Sequence, residues 1–539
     1  MKVSSILTLL FYITQSYALW PVKDFRVDDL NDPTSKTISF NKNLVLQKHQ
    51  RKQTVLNNQD PDNSNNNNNQ NVPIIELGND VQMLLTDVDN SIYYLMTSII
   101  DTSTNYNEQF PLLLDTGSAI SWLYNESCNQ NGCNNPNINK FNDYSKPLSL
   151  DSSFQLSYTG QQVTGNTISL IHNNIDIVFG NDLTFNNISI GLTNDSPEMF
   201  DGYNISGLLG ISSSTADSRN LMHQFYVDQV IDQQIFSLFL ISANDEDINN
   251  STEYSSSNNL PQDFGGLIIF GSKALDLQSN FTNSTQVHYT DILPNDNSYW
   301  LINVTNIEVS NLINDISNFN SSSTPISRQA IIDTGTTGIV FPVEDADIIH
   351  QQLFGDSYIT DGQGNYAFPC NSTNGDASII FNIGDTQLNL SSTNFMGNAY
   401  STPDLQGYCA SKIQGINDYE YWVLGAAFLN KFYTIFDLSN QQLGFGELNI
   451  NSFQIKNPTP SSSSPSSITL SLPTTITSSY SSSSSSTSKS SSSSSSVSKT
   501  NSTNNNSTSN RKVNGVDTQF SFTSLHLLAI AVIVCISIV

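Results

Sequence analysis

The sequence predicts a mostly-β, bilobal chain with two lobes related by a pseudo-twofold axis and a few short helices. Three observations predict it. Between about Ile74 and Leu448, short apolar or alternating runs rich in aromatic and β-branched residues recur between Gly, Asn, Asp and Ser clusters. That texture marks strands rather than βαβ units. Second, an apolar run ending in Asp-Thr-Gly occurs twice, at Asp115 and at Asp333. Third, each copy is answered by an apolar-apolar-Gly element, ending 95 residues on at Gly210 and 92 residues on at Gly425. One such tripeptide is weak evidence; two copies answered at nearly equal distance point to an internal repeat.

The elements follow in chain order. Lys2, the apolar run Ile6 to Ile13 and Ser16-Tyr17-Ala18 form a signal-peptide pattern over 1–18, too short for a membrane span. Residues 19–72 are polar, end in an Asn run and gather Lys48, Arg51 and Lys52; they read as a removable pro-segment. The folded region is 73–456, with an N-lobe over about 73–270 and a C-lobe over about 271–450. Its expected strands include Ser91–Ile100, Phe110–Leu114, Ile175–Phe179, Gly266–Phe270, Tyr299–Val304, Ala330–Ile332 and Tyr433–Asp437. Helices are expected at Asn220–Gln234 and, after Pro342, at Val343–Phe354. The Ser/Thr-rich stretch 457–513 cannot bury a core and reads as an O-glycosylated stalk. Residues 514–539 combine small residues, a polar spacer and an apolar tail from Leu525, a GPI-attachment pattern with Asn514 as the expected attachment residue.

Composition narrows the class. Twenty Lys and Arg against 48 Asp and Glu give a formal net charge of −28, which repels nucleic acid and suits work at acidic pH. Of five cysteines, Cys535 lies in the removable tail; Cys128, Cys133, Cys370 and Cys409 remain. An even number in a secreted chain implies disulfides. Three pairings are open, and Cys128–Cys133 with Cys370–Cys409 is the most local. Sequons at Asn125, Asn187, Asn204, Asn303, Asn371 and Asn389 agree with a secretory route.

The repeat also explains why Phe110-Pro111-Leu112-Leu113-Leu114 runs straight into an acid. A buried carboxylate is costly unless paired or neutralised. Two lobes facing each other bring Asp115 and Asp333 to one axis, where both cannot ionise easily. One apparent pKa is expected to fall and the other to rise, so the pair holds one proton in acid. Gly117 and Gly335 let backbone pass close, Thr116 and Thr334 bond across the axis, and Ser118 and Thr336 donate to the outer carboxylate oxygens.

With these motifs the sequence resembles the pepsin-like aspartic proteases, over about residues 75–448. Trp122 follows Asp115 by seven residues, Tyr158 in SYTGQQVTG falls at the flap tyrosine, Gly265–Gly271 looks like the interlobe strand, Tyr299-Trp300 like the start of the second lobe, and Trp422–Phe445 resembles the C-terminal signature. The four cysteines fall at family positions. The resemblance implies an acid-protease fold and an aspartic endopeptidase that hydrolyses peptide bonds with a water activated between Asp115 and Asp333, under a flap carrying Tyr158. It implies no cofactor and no metal, peptide or protein substrates, and a monomer. With the stalk and tail, the chain is most similar to the yapsin-like and secreted Candida-type proteases of the fungal surface, held to membrane or wall glucan and processing or shedding surface or secreted proteins. A barrier-type protease that degrades a peptide signal and a silent wall or binding protein are the alternatives. Three features depart from the family: Thr159 for Gly after the flap tyrosine, Ala426 for Asp after Val-Leu-Gly, and Asn/Ser stretches at Ile248–Asn259 and Asn314–Ser323.

Overall fold

The computed structural model describes residues 74–448, apart from 88–91, 102, 105, 143–147, 159–160, 181–182, 215–219, 242–262, 283–286, 311–325, 373–376 and 418, together with the strand Gln454–Lys456. The signal, pro-segment, stalk and attachment patterns, Asn514, Thr159 and the two Asn/Ser stretches lie outside the described residues.

The architecture is mostly β. In the first lobe Tyr93–Asp101 pairs antiparallel with Tyr106–Asp115, which runs parallel to Gly207–Gly210. Gly207–Gly210 lies antiparallel to Trp122–Tyr124, which is parallel to Ser189–Thr193. The second lobe repeats this order. Leu301–Val304 pairs antiparallel with Arg328–Ile332, parallel to Trp422–Leu424, antiparallel to Ile339–Pro342, parallel to Ile413–Ile416. The same alternation of antiparallel and parallel neighbours, built from separate stretches of chain, is the repeat seen in the motifs.

The chain does not divide cleanly between the lobes. Phe432–Asp437 returns to pair with Ile235–Leu240, which pairs in turn with Phe264–Phe270. A single sheet therefore runs from the C-terminal strands Phe432–Asp437 and Gln442–Glu447 through to the first lobe's hairpin. The central strands are apolar on both faces because both are covered: Ile235–Leu240 is buried at every residue. One large apolar cluster contains Leu114, Leu209, Trp300, Ile332 and Leu424 together. Trp300 Nε1 donates to the Ile211 carbonyl at 2.7 Å and Ser213 Oγ to the Tyr299 carbonyl at 2.8 Å, so polar groups also bind lobe to lobe.

The helix Val343–Phe354 forms as expected, with Glu344 and Asp345 in its first turn complementing the dipole. The other is shorter than its apolar spacing suggests. It spans Leu221–Val227, capped by the Asn220 side chain, and the chain then turns at Gln229 with φ 59°. Bridges join Cys128 to Cys133 and Cys370 to Cys409.

Candidate active site

Each strand that precedes an Asp-Thr-Gly ends where a parallel neighbour ends. Asp115 is the last residue of Tyr106–Asp115 and lies opposite Gly210. Asp333 follows Arg328–Ile332, and its N–H donates to Leu424 O at 3.2 Å. The shared ends put each carboxylate at the very end of its sheet, on the last strand residue for Asp115 and one residue beyond for Asp333. Both are fully buried.

The two turns interlock through one set of bonds made twice. Thr116 N donates to Thr334 Oγ1 at 3.1 Å, and Thr334 N to Thr116 Oγ1 at 3.0 Å. Thr116 Oγ1 donates to Ile332 O at 2.9 Å, and Thr334 Oγ1 to Leu114 O at 2.8 Å. Ser118 Oγ reaches Asp115 Oδ2 at 2.6 Å, and Thr336 Oγ1 reaches Asp333 Oδ2 at 2.7 Å. Gly117 N lies 2.8 Å from Asp115 Oδ1 and 3.1 Å from Asp333 Oδ1, so one N–H serves both inner oxygens. Gly335 N donates to Asp333 Oδ1 at 2.9 Å. The glycines are required by space: a Cβ on Gly117 would stand 2.8 Å from the Asp333 carboxyl carbon, and one on Gly335 2.8 Å from that of Asp115.

Burial pushes Asp115 well above the ordinary carboxylate range, and the charge of Asp333 adds to it. Burial also raises Asp333, but hydrogen bonds from Thr336, Asp115, Gly335 and Gly117 offset part of that rise. The expected fall of one member below its usual value is therefore not the pattern here: both rise, because burial disfavours the charged form of each. The arrangement still holds a proton between two carboxylates in acid.

Trp122 and Tyr158 sit beside this centre. Trp122 Nε1 donates to the Tyr158 hydroxyl at 2.8 Å, and both side chains are fully buried. Burial first, then the Asp115 charge, raises the Tyr158 hydroxyl pKa. Tyr158 closes the strand Leu150–Tyr158 at the tip of a hairpin with Gln161–Ser169. Ala426 is buried, and its N–H donates to Thr336 O at 2.7 Å. Cys128 and Cys133 lie in the cluster that holds Trp122 and Tyr158, whereas Cys370–Cys409 ties a sheet of the second lobe, near Tyr366–Pro369.

Sequence reasoning missed two kinds of residue. Leu114 and Ile332 serve the site through their carbonyls; their common place before each aspartate in the repeat was the available signal. Phe200 packs edge-on against Tyr158 and Trp122, with ring centroids 5.5 Å and 5.9 Å away. It comes from a separate loop, and no local pattern marks it. Among the described residues no group of three His, Cys, Asp or Glu side chains is placed to hold a metal ion.

A family model described as eukaryotic aspartyl protease matches residues 98–448. Aspartic-type endopeptidase ctsD of Aspergillus fumigatus is 27% identical over 361 residues, 65% of this chain and 65% of that protein. Cathepsin E of Aquarana catesbeiana is 26% identical over 343 residues, 63% of this chain and 76% of that protein. Pepsin A of Bos taurus is 26% identical over 342 residues, 62% of this chain and 80% of that protein. The chain thus spans just under two thirds of the length of the Aspergillus relative.

Proposed function

The chain belongs to the eukaryotic aspartyl protease family, and on that premise we propose that it is an aspartic endopeptidase working through Asp115 and Asp333. The observation that carries this reading is the doubled bond set around two fully buried carboxylates that share the Gly117 N–H. A pair holding one proton acts as base and acid at once, and aspartic proteases are the established example of such carboxylate tuning. The ionised carboxylate takes a proton from a bound water as its oxygen attacks the peptide carbonyl carbon. The protonated carboxylate donates to the carbonyl oxygen. The tetrahedral diol then collapses: the C–N bond breaks, the leaving nitrogen takes the proton that came from water, and one diol hydroxyl returns its proton to the second carboxylate as the new C=O forms, which restores the one-proton pair. Thr116, Thr334, Ser118 and Thr336 hold the two carboxylates in place, and Tyr158, backed by Trp122, lies on the arm that would cover the substrate.

The finer reading is a fungal-surface enzyme that processes or sheds surface or secreted proteins. It rests on the sequence patterns: residues 1–18 as signal, 19–72 as a removed pro-segment, 457–513 as stalk and Asn514 as GPI attachment residue. The disulfide-bearing folded part would then stand off the surface on its stalk.

One experiment tests both. The full chain is expressed in yeast, and cells are assayed for peptide-library cleavage between pH 3 and 7. Wild type is expected to cleave in acid, and Asp115→Asn or Asp333→Asn to lose about 10⁴-fold or more in rate, as the loss of a member of a catalytic unit does. Activity retained in either variant contradicts the chemistry. Phosphatidylinositol-specific phospholipase C should release the activity from membranes; activity found only in the medium of untreated cells contradicts the anchor alone.

A further inference from the structure

The hairpin that carries Tyr158 leaves its sheet at a defined residue. Gln161–Ser169 pairs with Ser189–Thr193 from Ser169↔Ser189 to Gly165↔Thr193, and there the pairing ends. Thr164 is the first residue of the arm with no strand on that side. Gly165 is the tight point just before it: a Cβ there would stand 2.1 Å from Leu192 O and 2.8 Å from the Phe154 ring. The hairpin is thus pinned at Gly165, and Thr164 begins the part that Ser189–Thr193 no longer pairs with.

Side chains take over where the ladder stops. The Asp195 carboxylate accepts from Thr164 N at 3.0 Å and from the Thr164 hydroxyl. The Thr193 hydroxyl donates to Thr164 O at 2.7 Å and accepts from Asp195 N at 2.9 Å. These bonds close a ring through Thr164, Thr193 and Asp195. Its base is itself held. Ser196 Oγ bonds the Tyr124 hydroxyl at 2.9 Å. Gln130 Nε2 donates to Asn194 O at 3.2 Å and Asn131 Nδ2 to Ser196 O at 2.6 Å, both from inside the Cys128–Cys133 loop. Thr164 is exposed and Asp195 half-buried, so nothing in core packing demands a charge here. An ordinary turn would need no carboxylate that grips a residue 31 positions earlier.

We propose that Asp195 is a positioning residue for the substrate cleft: it latches Thr164 and so limits the swing of the arm that presents Tyr158. The inference rests on the endopeptidase reading for its functional meaning, since Tyr158 matters to substrate only there. The latch works on binding rather than on the chemical step, because it touches neither carboxylate of the dyad.

The test uses the full chain and compares wild type with Asp195→Ala, Asp195→Glu and Thr164→Val. Hydrogen exchange of amides in 155–164 is read by mass spectrometry beside 165–169 of the same hairpin. Asp195→Ala should speed exchange in 155–164 by about three- to tenfold, the range of a charge-assisted bond at a half-exposed site. Residues 165–169 should not change. KM for a peptide substrate should rise by a similar factor with kcat within about twofold. Asp195→Glu should recover part of both effects, and Thr164→Val, which keeps the N–H, should lie between. Unchanged exchange in Asp195→Ala overturns the proposal. So does a uniform rise across the whole hairpin, which would mark a merely structural role. If wild type cleaves nothing while Asp195→Ala still loosens 155–164 alone, the latch stands and the protease reading falls.

Discussion

Where two carboxylates must touch, the neighbouring residue cannot have a side chain. Gly335 faces the Asp115 carboxyl carbon at a distance no Cβ tolerates, and the atom that must yield belongs to the proposed catalytic pair. Gly335→Ala should therefore leave the strands in place but displace Asp115. We expect about 10²-fold lower kcat, the cost of misplacing a catalytic group by around an ångström, with a thermal midpoint that falls by only a few degrees. A variant with full kcat would mean that the carboxylates need not meet. This part of the site is legible in the amino-acid sequence, because Asp-Thr-Gly is local and its repetition gives the partner. Asp195 is not. It stands in Asn194-Asp195-Ser196, a stretch indistinguishable from ordinary surface loop, and its meaning depends on Thr164 arriving from another strand. Phe200 is illegible for the same reason.

Elements are legible where burial and propensity agree. Val343–Phe354 matches its prediction at both ends, since Pro342 precedes it and Gly355, at φ 57°, ends it. The helix expected over Asn220–Gln234 stops at Val227. Val230 and Ile231 supply apolar residues at helical spacing, yet both send their N–H to Phe225 O across a turn; the periodicity reported burial, not helix. The longer helix also does something its pattern hid. Asp345 in its first turn accepts from Trp422 Nε1 at 2.8 Å and from Arg328 Nε. Trp422 opens the strand that ends beside Asp333, and Arg328 opens the strand that runs into it. One carboxylate thereby joins three elements behind the second aspartate. Asp345→Ala should cost about 2–3 kcal/mol in urea unfolding, less than a wholly buried pair because the Arg328 side chain is 35% exposed. Asp345→Asn should cost less, since its amide oxygen still accepts from the indole. Equal losses in the two variants would show that the charge facing Arg328, not the bond to Trp422, is what matters.

At the scale of the whole molecule, two buried groups pull stability in opposite directions with pH. The dyad carboxylates have raised pKa values, so the folded state binds protons more tightly than the unfolded chain. Their contribution is full below the ordinary carboxylate value of 3.8 and is lost as pH climbs through the raised values. His350 does the reverse. It is fully buried, stacked on Tyr366 with ring centroids 4.1 Å apart, and bonded through Nδ1 to Ala346 O and Nε2 to Ser411 Oγ. Burial pulls its pKa from 6.5 down to about 4. Its contribution is full above pH 6.5 and drains away as pH falls to about 4, a loss of about 3 kcal/mol for a shift of that size. A protein of this build therefore has a stability maximum set by opposing residues in different parts of the fold. Urea unfolding measured from pH 3 to 8 should show it. His350→Gln, which keeps a donor and an acceptor but cannot titrate there, should flatten the decline between pH 6.5 and 4 and leave the neutral limb alone. Asp333→Asn should flatten the neutral limb and leave the acid one. If His350→Gln loses stability in acid as steeply as wild type, the acid limit belongs to the surface carboxylates and not to this buried imidazole.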